Sequence, residues 1–344
     1  MRITVSEIAK RAGVSSATVS RALNDRGYVS EDNKKLILKV AEELDYSPKQ
    51  YNKRKAKGSQ NNIIGLVVPD IQNPYYTDLI RHIEKLTFEL GYDMLLCDTN
   101  EDPNQEIRYL SALLCSQLDG LIIAPVSDAV EYNAEYLREV NKSGTPVVLL
   151  GRDIKFGGMD GVFLNNYDCA YQATQAFIDC GHRQIAILCG PTTTRTGLER
   201  LNGYFAALRD NSIPIREEYV LYGNFKMQSA YELTQKLMAT KRDVTAIFTA
   251  NNTMAEGCVK ALSEIKAKFP DDMAIISFGN LRTLGVYGVD ISYISLPSHL
   301  LALECVKILT DKINVGKKHI KMPPRRVSFF AELVLCGSEK YVPR

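Results

Sequence analysis

Thr4-Val5-Ser6-Glu7-Ile8-Ala9-Lys10-Arg11-Ala12-Gly13-Val14-Ser15-Ser16-Ala17-Thr18-Val19-Ser20-Arg21-Ala22-Leu23-Asn24 is the stretch on which the reading of this chain turns. Glu7 follows Thr4 at the spacing of a capping box, so a hydroxyl and a carboxylate can satisfy the first amides of a helix. That helix stops near Ala12-Gly13, where glycine can take the left-handed conformation that ends a helix. Ser15 can cap a second helix carrying Val19 and Leu23 on one face. Two short helices around so brief a turn form a helix-turn-helix arrangement. A third helix is expected from Ser30 to about Leu44. Glu31 and Asp32 sit at the positive end of its dipole, and Leu36, Ile37, Val40, Ala41 and Leu44 fall at helical spacing. Ile8, Ala9, Val14, Val19, Leu23, Leu36 and Val40 would close a miniature core.

This leaves Ser16, Ala17, Ser20 and Arg21 on the outer face of the second helix, the element that enters the DNA major groove in such motifs. Arg21 suits direct readout, since its fork can bond guanine O6 and N7 together. Ser16 offers a hydroxyl bond and Ala17 a methyl contact. Thr4, Ser15, Thr18, Ser20 and Asn24 suit phosphate contacts, which position without specifying. For Ser15, plain helix capping is an equal reading.

The charge distribution agrees. The 344 residues carry a net charge of +2. Residues 1–60 hold 13 Lys and Arg against 7 Asp and Glu, net +6, and the remainder holds 29 against 33, net −4. A basic head precedes a mildly acidic body. The length suits two or three domains. No apolar run approaches a membrane span and no signal-peptide pattern opens the chain, so a cytoplasmic, nucleoid-associated protein is expected. The 8 Cys are scattered without a Cys-x-x-Cys pair and read as reduced core residues.

With Val29-Ser30 and Leu44-Asp45-Tyr46-Ser47-Pro48, the opening stretch resembles the DNA-binding head of the LacI/GalR family of bacterial transcription regulators. The resemblance implies a hinge helix after Pro48 whose leucine wedges into the minor groove. Here the hinge reads Lys49-Gln50-Tyr51-Asn52-Lys53-Arg54-Lys55-Ala56-Lys57-Gly58, with Lys55 at the leucine position. A lysine cannot offset unstacking with apolar contact. Either the wedge is absent or Tyr51 supplies it from a shifted register. Lys53, Arg54 and Lys55, among five basic residues in nine positions, suit an electrostatic grip on phosphates, and a solvated linker is the plainer reading. Full engagement of all five in both subunits would add roughly −9 to the salt slope of DNA binding.

Beyond residue 60, short β-branched runs alternate with amphipathic stretches. Strands are expected at Ile63–Val68, Met94–Cys97, Gly120–Ala124, Val147–Leu150, Ile185–Cys189, Ala246–Ala250 and Met273–Phe278. Helices fit at Tyr76–Leu90, Gln105–Ser116, Asp128–Lys142, Ala170–Cys180, Gly197–Asn211, Met227–Ala239 and Met254–Phe269. Nearly continuous apolar strands imply parallel sheets covered by helices on both faces. The fold class is therefore an all-α helix-turn-helix head plus an α/β core of two open parallel-sheet subdomains, which the family resemblance implies to be periplasmic-binding-protein-like. The expected division is 1–47 for the head, 48–60 for the basic hinge and 61–344 for the core. The resemblance implies that subdomain 1 takes 61–164 and 297–325 and subdomain 2 takes 165–296 and 326–344, with crossings near Asn165, Leu296 and Arg325.

Ile64-Gly65-Leu66-Val67-Val68-Pro69-Asp70-Ile71-Gln72-Asn73-Pro74-Tyr75-Tyr76, Asp119-Gly120-Leu121-Ile122-Ile123 and Gly181-His182-Arg183-Gln184-Ile185-Ala186 extend the resemblance over the core. It implies an effector cleft lined by Tyr75, Tyr76, Asn165, Thr196, Arg200, Phe225, Asn251 and Asn252. Aromatic faces pack on sugar rings, while Asn and Arg bond hydroxyls or carboxylates. Relatives that bind neutral sugars often place aspartates where this chain has Gly151, Asn165, Asn252 and Gly279. Arg200 remains, with Arg152 and Arg195 as neighbours to consider. An anionic effector, a sugar acid or sugar phosphate, follows from this pattern, and a degenerate pocket controlled by a protein partner is the alternative. No phosphate loop, dinucleotide fingerprint, nucleophile elbow or His/Cys metal cluster is present in the sequence, so no catalytic residue, metal or cofactor is expected. A sugar-processing α/β enzyme with a basic tail is the rival class, opposed by the capped three-helix head. The expected partners are double-stranded operator DNA read by a homodimer, with Tyr76–Leu86 and its neighbours as interface, and a small-molecule effector.

Overall fold

The computed structural model describes residues 5–15, 18–19, 22, 29–43, 62–114, 116, 118–128, 131–154, 158–241, 243–316 and 323–340. Two compact units emerge, Met1–Asn62 and Ile63–Arg344.

In the first unit, α1 spans Val5–Ala12 and α2 spans Glu31–Glu43. α1 ends as its sequence dictates: Gly13 sits at φ +68° and the Val14 amide reaches back to the Ala9 carbonyl at 3.1 Å. That six-residue reach is the Schellman closure. The Ser15 hydroxyl accepts the Thr18 amide at 3.1 Å and the Val19 amide bonds the Ser15 carbonyl at 3.0 Å, so Ser15 caps the next helical turn. Ile8, Ala9, Ala12, Val19, Ala22, Ile37, Val40 and Ala41 form the core, with Val14 and Val29 against it. One expectation is corrected. Leu36 is 44% exposed and Ile37 is fully buried in its place. Ile37, Val40 and Ala41 share a face at i, i+3 and i+4, and Leu36 lies about 100° round the helix from Ile37. Leu23 and Leu44 lie outside the described residues.

The second unit holds two six-stranded sheets. The first comprises β1 (Ile63–Val68), β2 (Asp93–Asp98), β3 (Gly120–Ile123), β4 (Val147–Leu150), β5 (Asp160–Leu164) and β11 (Arg326–Phe329), in the order 11-5-4-3-1-2. The second comprises β6 (Ile185–Cys189), β7 (Val220–Tyr222), β8 (Ala246–Thr249), β9 (Ala274–Phe278), β10 (Ser292–Ser295) and β12 (Glu332–Val334), in the order 12-10-9-8-6-7. Among the described residues every pairing is parallel except β10 with β12, which is antiparallel and departs from the all-parallel expectation. Around the first sheet run α3 (Pro74–Glu89), α4 (Pro103–Leu114), α5 (Glu131–Lys142) and α11 (Ser298–Gly316). Around the second run α6 (Asn166–Asp179), α7 (Arg195–Asp210), α8 (Met227–Thr240), α9 (Asn252–Glu264) and the short α10 (Arg282–Gly285).

Each sheet reverses its winding once, where β1 pairs both β2 and β3, and where β6 pairs both β7 and β8. Ligands of open α/β sheets collect beyond the carboxyl ends of strands at such points. The chain passes from the first sheet to the second after Leu164 and returns after Ser295. The third crossing, expected near Arg325, falls at Phe330 and Ala331. β11 pairs β5 from Arg326↔Gly161 to Phe329↔Leu164, so residues 326–329 belong to the first sheet. α3 turns Tyr76, Leu79 and Ile83 inward, so this face of the expected dimer interface is buried within the subunit. Of the described cysteines, all are free, and Cys336 is exposed rather than a core residue. No helix of the described residues is long and apolar enough to cross a membrane.

Candidate functional site: a polar cleft at the strand ends

The site is assembled by helix starts. Asn73 caps α3 by accepting the Tyr75 amide at 3.0 Å, and Pro74 presets the first turn, which places Tyr75 and Tyr76 directly after β1. Thr194 caps α7 through the Gly197 amide at 3.1 Å, bringing Thr196 and Arg200 to the same place from the second sheet. Asn251 caps α9 through the Met254 amide at 2.7 Å and holds the Phe225 carbonyl with its Nδ2 at 3.0 Å. Phe225 stands at φ +65°, and its ring covers Gly190 so closely that a Cβ there would lie 2.0 Å from it. The glycine makes room for the ring.

Tyr75, Tyr76, Thr196, Arg200, Phe225, Asn251 and Asn252 line one central cavity of about 40 Å³, together with Arg152, Phe278 and Leu296. Asn165 does not join them. It caps α6 through the Asp168 amide at 3.1 Å, bonds the Asp168 carboxylate at 2.6 Å, and borders an adjoining cavity of about 350 Å³ beside Arg195 and Arg326, which shares Gly151, Leu164 and Thr196 with the central one. Asn251 lines the central cavity but its amide is engaged by the cap and the Phe225 carbonyl. Asn252 accepts the Thr253 amide at 3.0 Å and borders both the central cavity and a third one of about 380 Å³ on the Gly279 side. Of the DNA-binding residues, Ser15 and Thr18 are placed, their hydroxyls 2.8 Å apart at the helix start. Thr4, Ser16, Ala17, Ser20, Arg21, Asn24, Tyr51, Lys53, Arg54 and Lys55 lie outside the described residues.

The three arginines weighed from the sequence have different fates. Arg195 bonds Asp153 at 2.8 Å and Glu199 at 2.6 Å. Arg152 is buried and paired with Glu101, a residue that sequence reasoning did not single out. Arg200 is buried, stacks with its guanidinium carbon 3.5 Å from the Phe278 ring centroid, donates to Asn166 Oδ1 at 3.0 Å and bonds the Ala250 carbonyl. Among the described residues it has no carboxylate partner. Burial pulls its pKa down to about 10. The Tyr75 hydroxyl is also buried and has no hydrogen-bond partner among the described residues, and burial pushes its pKa up. A Cβ at Gly151 would lie 3.3 Å from that hydroxyl, so the glycine leaves it without a side-chain acceptor there.

Besides the Arg195–Asp153 pair, further contacts close the cleft from side to side. Lys226 Nζ reaches Asp70 at 2.7 Å and Asn100 Oδ1 at 2.9 Å, Ser127 Oγ bonds the Thr193 carbonyl at 3.1 Å, and Arg282 pairs with Asp78 at 3.0 Å. Asp70, Asn100, Lys226 and Phe278 were not singled out as site residues either. Their only sequence signal is position at or just past a strand's carboxyl end, or at a helix start, which the fold makes meaningful.

Comparison with known proteins bears on both units. Residues 4–49 match the model for bacterial regulatory proteins of the lacI family, and residues 61–332 match that for periplasmic binding proteins and the sugar-binding domain of the LacI family. The chain is 29% identical over 335 residues to the HTH-type transcriptional repressor PurR of Actinobacillus pleuropneumoniae serotype 3 (strain JL03), covering 97% of this chain and 98% of that one. It is 30% identical over 331 residues to the HTH-type transcriptional regulator DegA of Bacillus subtilis (strain 168), covering 95% and 97%. Among solved structures, a LacI family transcriptional regulator from Enterococcus faecium with bound ribose superposes with a TM-score of 0.72 at 26% identity, covering 82% of this chain and all of that one. The helix-turn-helix head, the two-sheet core and these matches along nearly the whole length place the protein in the LacI family of DNA-binding transcription regulators, which are not enzymes.

Proposed function

We propose that the protein represses carbohydrate-related genes in the cytoplasm, binding a pseudo-palindromic operator as a homodimer under the control of an anionic sugar derivative in the cleft. Arg200 carries the effector class. It is a buried guanidinium without a carboxylate partner among the described residues, bordering the cavity that Tyr75, whose buried hydroxyl has no partner there, also lines. A carboxylate or phosphate would accept from both, and a buried arginine bonds such groups through two parallel N–H donors. The names of the relatives favour repression, and the ribose-bound neighbour favours a sugar-like ligand. Dimerisation has its own support. Phe88, Leu90, Leu95 and Leu96 are exposed at the end of α3 and on β2, the edge strand of its sheet, and such an apolar edge is normally covered.

A second reading has one observation in its favour. The cavity at Arg200 holds about 40 Å³, with cavities of about 350 and 380 Å³ adjoining it at Gly151 and Thr196 and at Tyr75 and Asn252, and so narrow a space at the guanidinium itself fits a cleft that takes its signal from a protein partner. Calorimetry against neutral sugars, sugar acids and sugar phosphates separates the two. Tight binding of an acid or phosphate alone is expected. Binding of neutral sugars alone overturns the anionic class, and binding of none supports the partner-controlled cleft. Mobility shifts on palindromic fragments from upstream of the protein's own gene test the DNA half of the proposal.

A further inference from the structure

Arg152 sits where a ligand contact would be expected, yet the chain already supplies its counter-ion. Its Nη1 and Nη2 meet the two Glu101 carboxylate oxygens at 2.8 and 2.6 Å, the parallel fork that arginine makes with a ligand carboxylate or phosphate. The guanidinium borders the same central cavity as Arg200, and the Phe225 ring centroid lies 5.3 Å away. Two further acceptors, the Pro125 and Val126 carbonyls at 3.2 and 3.1 Å from Nη1, anchor it independently of Glu101. Arg152 would therefore keep its place if Glu101 left.

Glu101 is differently held. It lies on the loop between β2 and α4, and its side chain is 16% exposed against 8% for Arg152. Asn100 and Glu101 take φ of +51° and +60°, two successive non-glycine residues in the left-handed region. Such conformations persist only where surrounding contacts hold them. Here the contacts are the Arg152 fork, the Glu101 amide on the Pro69 carbonyl at 2.7 Å, and Lys226 from across the cleft on Asn100.

We propose that Arg152 is a second anion-binding residue of the effector cleft and that Glu101 is its internal placeholder. The carboxylate of the chain stands where a carboxylate or phosphate of the effector will stand. This rests on the anionic reading of the cleft and adds a mechanism to it. Exchange of one fork for another conserves the hydrogen bonds of Arg152, so only a ligand that also satisfies Arg200 and Tyr75 gains from displacing Glu101. Because the same loop is tied to Lys226, displacement also loosens a contact that closes the cleft, which couples occupancy to closure.

The test uses inorganic phosphate and glucuronate as probes, titrated calorimetrically into the full-length protein, Glu101→Gln, Glu101→Asp, and Glu101→Gln combined with Arg152→Met. Glu101→Gln should bind both probes roughly tenfold or more tightly than the unaltered protein, the scale of one charge-assisted fork freed from competition. The gain should vanish in the double variant. Glu101→Asp, which keeps the charge with a shorter reach, should fall between, and guards against a Glu101→Gln variant that does not fold. Anion binding that is equally tight in the unaltered protein and in Glu101→Gln overturns the placeholder and leaves the anionic cleft standing. Failure of every variant to bind either anion overturns both.

Discussion

At Arg200, a full charge lies in a cavity with hydrogen-bond acceptors and an aromatic face but no carboxylate partner among the described residues. Arg200→Ala is expected to abolish effector binding while leaving operator binding without effector intact, measured by calorimetry and mobility shift on the same preparation. Since burial brings its pKa to about 10, affinity for an anionic effector should hold below that pH and fall as pH rises through it, because only the protonated guanidinium attracts an anion. His182 makes the opposite kind of case. Buried in the turn between α6 and β6, it contacts Thr245 Oγ1 at 2.8 Å and the Glu339 carbonyl at 3.2 Å, and burial lowers its pKa below the ordinary 6.5. The unfolded chain then binds the proton more readily than the fold does, so stability is fully present above about pH 6.5 and is lost as pH falls below it. Urea titrations across that range should show the loss, and His182→Gln should flatten it.

The helix pairs that flank the second sheet depend on glycine. A Cβ at Gly203 of α7 would lie 2.2 Å from the Tyr167 carbonyl oxygen of α6, and one at Gly257 of α9 would lie 2.1 Å from that of Met227 in α8. Both obstacles are backbone, so the helices must separate. Gly203→Ala and Gly257→Ala should each cost about 1–3 kcal/mol in denaturant unfolding, although alanine is the better helix former. Elements whose apolar run is continuous were legible: β1, β4 and β6 fall at the expected residues because strands buried on both faces need no polar alternation. β5, β7, β10, β11, β12, α10 and α11 were not in the sequence reading. β5 opens on Asp160-Gly161, residues of low strand propensity, and is a strand because it pairs β4 on one side and β11 on the other, where Asp160 also takes the Arg325 amide at 2.7 Å and Lys312 at 2.9 Å. α11 packs against α3 and the first sheet after the chain has returned from the second, a distant partnership its own residues do not announce.

For the whole molecule, the basic run from Lys49 to Lys57 sets the outlook for DNA binding. The family resemblance puts Lys55 at the wedge position, and on that reading we propose that operator binding is steeply salt-dependent and the DNA weakly bent. Lys55→Leu should reduce the salt slope by roughly 2 in a dimer, at about 0.9 per phosphate in each subunit, and increase bending in a phasing assay. A sharp central kink with the unaltered protein would sink this expectation.

What the sequence determined alone was local. Caps, a left-handed glycine, helical periodicity and continuous apolar strands depend on residues within a few positions of one another, and they sufficed for the helix-turn-helix head and the α/β class of the core. The eight proposed cleft residues came from family spacing, and seven of them converge. What only the tertiary structure decided was the charge state of that cleft. Arg152 and Arg200 look alike in the sequence, but Glu101 lies 51 positions from Arg152 and meets it because β2 and β4 end on the same side of one sheet. Electrostatic pairing depends on distance in space, and the order of strands in a sheet sets that distance.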